Sequence, residues 1–179
     1  MNELMFKAQI AKHLKSLRAQ KGMSLAETAK VTGVSKAMLG QIERQESSPT
    51  IATLWKIASG LSVSFSAFFA NQASPSANDA LFPDDPKMNI RTLFPFKVDT
   101  GVEMFEITLT AYHQQMSSPH SAGVIEYIHV LHGQLSLYVD RQWQLMQKGE
   151  SRRFFADQSH GYWAISETAV FQNIICYPR

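Results

Sequence analysis

Two hydrophobic periods divide this chain. Over residues 6–69, apolar residues recur every three or four positions, as Ile10 and Leu14 do, and this spacing predicts amphipathic helices. From about residue 89 the period changes to two. Phe105 and Ile107, for example, alternate with more polar neighbours, which is typical of short strands. We therefore expect a helical N-terminal domain and an all-β C-terminal domain.

Capping residues mark the limits of the helices. Ser24 and Glu27 have the spacing of a capping box, and Gly33 suits the left-handed end of the same helix. Ser35 and Thr50 precede two further helical patterns as N-caps. The predicted bundle has five short helices, around residues 6–21, 24–32, 35–45, 50–61 and 64–69.

The composition changes between the two patterns. Residues 71–88 contain three prolines, three aspartates and several small polar residues, a mixture that is typical of a linker. We predict a helical domain over residues 1–71, a linker over 72–88 and a β domain over 89–179. Turn residues such as Gly133 and Gly149 separate the short strands of the last segment, which favours a barrel or sandwich.

Charge and cysteine content narrow the possible functions. Residues 1–70 hold nine lysines and arginines against four acids, whereas the rest of the chain holds eight against eleven. A basic N-terminal third favours a polyanion as partner. A single cysteine, Cys176, excludes an intramolecular disulfide. No apolar run is long enough to cross a membrane, so we expect a cytoplasmic protein without a membrane partner.

The third predicted helix has the pattern of a DNA-reading helix. Leu39 and Ile42 suit its buried face, while three neighbours project outward. Of these, Lys36 suits guanine, Gln41 suits adenine and Ala37 suits a thymine methyl group. Hydroxyl groups, a positive charge and helix N-termini nearby suit phosphate contacts. The candidate DNA-binding residues are Ser24, Ser35, Lys36, Ala37, Gln41, Arg44, Ser47, Ser48 and Thr50.

The stretch GVSKAMLGQIERQESSPTIATLWKIA, within residues 10–69, resembles the XRE family of helix-turn-helix domains. The resemblance implies a lambda-repressor-like bundle that binds a double-stranded DNA operator. It also implies an ion pair between Arg18 and Glu43 and a homodimer on a two-fold operator.

The second half resembles the cupin family. His120, Glu126 and Gly133 keep the spacing of the first cupin motif, and Gly149 and His160 that of the second. The resemblance implies a double-stranded β-helix, or jelly-roll barrel. Ala122 stands where the first motif has its second histidine.

Two interpretations of the cupin residues stay open. His120, Glu126 and His160 can form a two-histidine, one-carboxylate site for a divalent ion, for which zinc is the ion that this ligand set favours. Alternatively, the metal is lost, and the same residues bind an organic ligand or one another. Tyr162 is a further candidate for lining the ligand pocket.

The domain order resembles that of transcriptional regulators with a single cupin domain, and the stretches GVIE and GQL resemble regulators of sulfur utilisation. This resemblance implies a sequence-specific DNA-binding regulator, not an enzyme. Its cupin barrel would sense a small metabolite, such as a sulfur-containing amino acid. The alternatives are a metal-dependent cupin enzyme fused to a DNA-binding domain, and a constitutive DNA-binding dimer whose barrel is a scaffold.

Overall fold

The structure, a computed structural model, describes residues 3–68, 79–81, 86–97 and 99–178. The chain divides into two compact units, Met1–Ser74 and Pro75–Arg179. Helices form the first unit and strands form the second. None of the helices in the described part of the chain combines the length and apolar character needed to span a membrane.

The first unit contains four α-helices and one 3₁₀ turn among its described residues. The α-helices are α1 (Glu3–Gln20), α2 (Leu25–Thr32), α3 (Lys36–Glu43) and α4 (Ile51–Gly60). The sequence analysis predicted a fifth helix over 64–69, but the structure has only a 3₁₀ turn, Phe65–Phe68, at this place. A segment of four residues completes a single turn, for which the tighter 3₁₀ geometry is common.

The helix boundaries follow the predicted caps. The Ser24 hydroxyl accepts a hydrogen bond from the Glu27 N–H, and the Ser24 N–H donates to the Glu27 carboxylate at 2.7 Å, which completes the capping box. Gly33 ends α2 in the left-handed conformation, with φ of 67°. Ser35 and Thr50 cap α3 and α4 through their hydroxyls, which accept hydrogen bonds from the Met38 and Thr53 N–H groups. These predictions are confirmed.

The buried faces of the helices meet in one apolar core. Leu14 of α1, Leu39 of α3 and Leu54 of α4 are fully buried. Trp55 stacks on Phe65 of the 3₁₀ turn, with ring centroids 4.2 Å apart. This packing orients the opposite face of α3 toward solvent.

Among its described residues, the second unit contains ten strands in two sheets. The strands are β1 (Asp79–Leu81), β2 (Met88–Lys97), β3 (Val102–Thr110), β4 (Gln114–Ser117), β5 (Ile125–His132), β6 (Gln134–Val139), β7 (Gln142–Gln147), β8 (Ser151–Phe155), β9 (His160–Ala164) and β10 (Thr168–Cys176). The six-stranded sheet has the order β1-β2-β3-β10-β5-β8, and the four-stranded sheet has the order β4-β9-β6-β7. All pairings are antiparallel. The predicted linker, residues 72–88, includes β1 and the first residue of β2, and its residues 72–78 and 82–85 lie outside the described residues.

The two sheets pack face to face. Tyr162 of β9 in one sheet hydrogen-bonds Glu126 of β5 in the other. Within the described residues no main-chain ladder joins the sheets, so the predicted jelly-roll barrel consists of two packed sheets that are not closed into one. The chain leaves one sheet and enters the other at tight turns, such as Ala111–Tyr112 between β3 and β4 and Gly133 between β5 and β6. These residues have positive φ angles, so the turn redirects the chain where a continuous strand would extend the ladder.

Candidate functional site

The predicted DNA-reading residues lie together on the exposed face of α3. Lys36, Ala37 and Gln41 are all exposed, whereas Leu39 and Ile42 of the same helix are buried. The helical period explains this division because residues three and four apart share a face. The face of α3 that the sequence analysis assigned to DNA reading is therefore exposed.

Three of the predicted DNA-binding residues are helix caps. Ser24, Ser35 and Thr50 are exposed at the N-termini of α2, α3 and α4. Their hydroxyls accept hydrogen bonds from main-chain N–H groups of the first turn at 3.1 to 3.2 Å. Helix N-termini favour anions through free N–H groups and the helix dipole, so these positions suit a phosphate backbone.

Arg44, Ser47 and Ser48, which were predicted to contact phosphates, differ in how accessible their side chains are to a phosphate group. Arg44 donates two hydrogen bonds to the Glu46 carboxylate, at 2.7 and 2.8 Å. Ser47 is half-buried. The Ser48 hydroxyl oxygen is buried and has no hydrogen-bond partner among the described residues. A phosphate contact by Arg44 would therefore require the loss of its pairing with Glu46, and the Ser48 hydroxyl does not face solvent.

Sequence reasoning missed Gly40 in the middle of α3. A Cβ atom at Gly40 would lie 3.0 Å from Nη1 of Arg44, so the missing side chain makes room for the guanidinium. Gly40 and Arg44 line a cleft of about 380 Å³ together with Leu25, Lys36, Ala37 and Gln41. A glycine inside a short helix destabilises the helix by about 1 kcal/mol relative to alanine. A glycine at this position of the sequence therefore indicated that space was needed beside α3.

The second unit holds a buried polar cluster between its two sheets. His120 lies in the loop before β5, Glu126 lies on β5, and His160 begins β9. All three side chains are buried, and one potential ligand atom from each lies within 4.8 Å of the others. The sequence predicted this trio, and the structure brings it together.

The two oxygens of the Glu126 carboxylate have different partners. Oε2 accepts hydrogen bonds from the Tyr162 hydroxyl and, at 2.9 Å, from Nδ2 of Asn173. Oε1 lies 2.8 Å from Nε2 of His120 and 3.4 Å from Nε2 of His160. Two donors thus fix the carboxylate from one side, and its other oxygen faces both histidines.

The ring orientation of His160 suits a cation. Its Nδ1 lies 2.9 Å from the main-chain oxygen of Gln158, so this nitrogen carries a proton and donates. In a neutral ring Nε2 is then a lone pair, and it has no hydrogen-bond partner among the described residues. A lone pair that faces a carboxylate oxygen is favoured only when a proton or a metal ion lies between them. A histidine held by a carbonyl oxygen in this manner is the common arrangement in metal sites.

The ionisation of the cluster follows from burial and charge. Burial alone would raise the pKa of Glu126, but the charge of His160 and the hydrogen bond from His120 hold this pKa well below its usual range. Burial alone would lower the pKa of His160, whereas the Glu126 carboxylate and the Gln158 carbonyl raise it above its ordinary value. Burial and the neighbouring carboxylate raise the pKa of Tyr162 well above its ordinary value, so its hydroxyl stays protonated and donates.

Two residues near the trio in sequence lie outside the cluster, and a third residue, which is distant in sequence, belongs to it. Ala122 is exposed, and His129 points away from the cluster and lies 2.8 Å from the Ser151 hydroxyl. Asn173, which the sequence analysis did not predict, is a member of the cluster. It lies at an inward position of β10 between Phe171 and Ile175. A polar residue at an inward position of an otherwise apolar alternation was therefore the sequence signal for this member of the cluster.

A helix-turn-helix bundle with an exposed polar face on α3, followed by a two-sheet unit with a buried His-Glu-His cluster, defines the class of DNA-binding regulators with a cupin domain. The comparisons with known proteins agree with this class. A family model described as Helix-turn-helix matches residues 14–68. The chain is 50% identical over 169 residues to the HTH-type transcriptional regulator SutR of Escherichia coli (strain K12), which covers 93% of each chain.

Two solved structures support the same classification. An HTH_3 family transcriptional regulator from Vibrio cholerae is 64% identical, with a TM-score of 0.96 over 99% of this chain and 100% of that one. The Cupin_2 domain of an XRE family transcriptional regulator from Enterobacter cloacae is 33% identical, with a TM-score of 0.51 over 52% of this chain and 99% of that one. The chain belongs to the XRE-type helix-turn-helix transcriptional regulators that carry a cupin domain.

Proposed function

We propose that the β unit senses a small metabolite at the Glu126 cluster and that binding changes the affinity of the helical unit for its operator. The observation that supports this proposal is the burial of two histidines, a carboxylate and a tyrosine hydroxyl in one place. Burying ionisable groups costs free energy, and clusters of buried ionisable groups are enriched at functional sites. A core that served only as a scaffold would be more stable with apolar residues there.

A divalent metal ion fits the donor set of the cluster. His120, Glu126 and His160 would hold it, and zinc is the ion that two imidazoles and a carboxylate favour. Nε2 of His160 supports this assignment, because it faces Oε1 of Glu126 at 3.4 Å without a regular hydrogen bond among the described residues. Once bound, the ion supplies a positive charge that attracts an anionic or sulfur-containing ligand. Tyr162 and Asn173 keep the carboxylate in position through its other oxygen.

A sulfur-containing amino acid or a related metabolite is the effector class that we propose. The support is the sequence resemblance to regulators of sulfur utilisation, together with the preference of zinc for sulfur ligands. Tyr162 lies beside the cluster and would contact the ligand.

The helical unit binds DNA as one half of a homodimer in this proposal. Lys36, Ala37 and Gln41 read base edges, and the cap residues and Arg44 contact phosphates. One recognition helix covers only a few base pairs, so two copies on half-sites about 34 Å apart provide the specificity that an operator needs. In this arrangement residues 1–71 form the DNA-binding domain, 72–88 the linker and 89–179 the sensing domain.

Operator affinity with and without the effector tests the proposal. DNA selected by the protein from a random library serves as the operator, and methionine, cysteine and cystine serve as first probes, each with and without zinc. We expect one compound to change the dissociation constant at least about 5-fold, the lower end of typical allosteric coupling. Glu126→Gln should abolish this change, and His129→Ala, outside the cluster, should retain it. An operator affinity that no compound or metal changes would contradict sensing, because a ligand that binds both states equally shifts nothing.

A regulatory role is favoured over a catalytic one. The relatives of full length, from Escherichia coli and Vibrio cholerae, are both transcriptional regulators, and we propose that this chain is likewise not an enzyme. Incubating the zinc-loaded protein with the effector and following the compound by mass spectrometry checks this point. Multiple turnovers of the compound would support an enzyme instead.

A further inference from the structure

The four-stranded sheet has an apolar outer face. Four large apolar side chains are exposed on it: Met116 is 42% exposed, Trp143 37%, Leu145 54% and Trp163 37%. Tyr138 lies beside Trp143 on the same face. We call these five residues the tryptophan face. The opposite side of the same strands is the buried side, which carries His160 and Tyr162 of the cluster.

The tryptophan face is continuous across the whole sheet. One cross-strand row runs from Met116 through Gly161 and Tyr138 to Trp143. The neighbouring row contains Trp163 and Leu145 on either side of Ser136. The rings of Trp143 and Trp163 are in contact across the two rows, with centroids 5.7 Å apart, and Tyr138 lies 5.2 Å from Trp143. The exposed side chains therefore form one patch.

The four strands of this sheet contain no lysine, arginine, aspartate or glutamate, although 18% of the chain is charged. By contrast, the six-stranded sheet carries an exposed ion pair between Arg91 and Glu106. Depletion of charged residues distinguishes the centre of a protein interface from the remaining surface. Exposed edge strands usually carry charges or proline to prevent pairing, yet β7, at the edge of the four-stranded sheet, has neither.

We propose that the tryptophan face is the surface on which two copies of this chain associate. A two-fold contact brings the same patch of both copies together, so a charged side chain near the axis would lie beside the identical charge of the partner and be repelled. An uncharged aromatic face meets this requirement. The exposed parts of its large side chains amount to roughly 350 Å², a reasonable apolar centre for an interface of about 800 Å² per partner.

The inference rests on the proposed homodimer and adds the location of its interface. The helical unit offers a single recognition helix, so a two-fold operator needs a second copy, and the tryptophan face provides the self-complementary surface. Contact through this face would also place β9, the strand that carries His160 and Tyr162, against the partner copy. These two residues lie on the reverse side of the same sheet.

Sedimentation velocity of the full chain tests the inference. We expect a species of twice the monomer mass of 20.1 kDa for the wild type at micromolar concentration. Leu145→Glu introduces a charge at the tryptophan face and should raise the dimer dissociation constant at least about 30-fold. Phe94→Glu introduces the same charge at an exposed position of the six-stranded sheet and should leave the dimer unchanged. Circular dichroism establishes that both variants are folded.

The possible outcomes separate the interface from the dimer itself. A wild type that stays monomeric at all concentrations would overturn both proposals. A dimer that persists in folded Leu145→Glu, and equally in Trp143→Gln, would place the two-fold contact elsewhere and overturn only the assignment of the face. Acrylamide quenching gives a second readout, because Trp143 and Trp163 should become less accessible as the concentration rises, whereas Trp55 is buried throughout.

Discussion

Arg18 and Glu43 form a two-pronged ion pair between α1 and the recognition helix α3. Nε of Arg18 lies 2.6 Å from Oε1 of Glu43, and Nη2 lies 2.9 Å from Oε2. The third nitrogen, Nη1, donates to the main-chain oxygen of Met23 at 2.9 Å. One guanidinium thus holds α1, the turn before α2 and α3 in a fixed arrangement, as the family resemblance predicted.

Replacing Arg18 by methionine should destabilise the protein. The substitution keeps most of the apolar stem but leaves the Glu43 carboxylate and the Met23 carbonyl without their donor, which costs about 1–3 kcal/mol. Denaturant unfolding measures the change. Arg44→Met is the matched control, since the pair of Arg44 with Glu46 is exposed and exposed pairs contribute little. Equal destabilisation by both substitutions would contradict the role that we assign to Arg18.

Gln41 should determine base preference. Because its amide is exposed at the centre of the recognition face, Gln41→Ala should lose about 1–3 kcal/mol of discrimination at one base pair and keep its affinity for non-specific DNA. Competition binding on operator variants measures this. Lys56→Ala, an exposed position of α4, serves as the control. Uniform weakening on all sequences would make Gln41 a phosphate contact instead.

Zinc should stabilise the protein through His160. A ligand that binds only the folded state adds about 2.7 kcal/mol at a hundred times its dissociation constant, and chelator should reverse the gain. His160→Ala should abolish the stabilisation because it removes the unpartnered nitrogen, and His129→Ala should retain it. Thermal unfolding with and without zinc and chelator is the measurement. An equal response of wild type and His160→Ala would refute the assignment of the metal site.

Gly133 and Gly149 should respond differently to alanine. Both have a positive φ angle, but a Cβ at Gly133 would lie 2.2 Å from the main-chain oxygen of Thr168, whereas nothing lies within 4 Å of one at Gly149. Gly149→Ala should therefore cost only backbone strain, about 1 kcal/mol. Gly133→Ala should cost at least about 2 kcal/mol more, because the backbone must also move. Equal unfolding free energies would show that the turn at Gly133 relaxes freely.

The capping box of α2 should make a pH-dependent contribution. Hydrogen bonds with the Ser24 backbone and hydroxyl lower the pKa of Glu27. A carboxylate with a lowered folded-state pKa stabilises the fold above its unfolded pKa, and this contribution is lost as the pH falls through the folded value. The melting temperature of Glu27→Gln should therefore be below that of the wild type at about pH 7 and should approach it at about pH 3. A difference that is constant with pH would contradict this linkage.

Much of the fold and part of the site could be predicted because their signals are local. The capping box of α2, the period of α3 and the alternation of β3 each depend on residues a few positions apart, which interact within one element. The spacing of His120, Glu126 and His160 also carried enough information, through the family resemblance, to predict their association.

Other features could not be predicted, because they depend on which distant segments pair. Asn173 enters the cluster only because β10 pairs with β5. The contacts of Arg44 with Gly40 and Glu46 are local by contrast, but neither the charge nor the spacing of these residues required them.

The sequence by itself determined the two periods, the helix caps, the exposed face of α3 and the identity of the buried histidines and carboxylate, since each follows from short-range geometry or from the spacing of motif residues. Only the tertiary structure decided that the sheets stay separate, that Asn173 holds the Glu126 carboxylate, and that Trp143 and Trp163 meet on one outer face. These relationships join residues far apart in the chain, and their register is established by sheet pairing and core packing together.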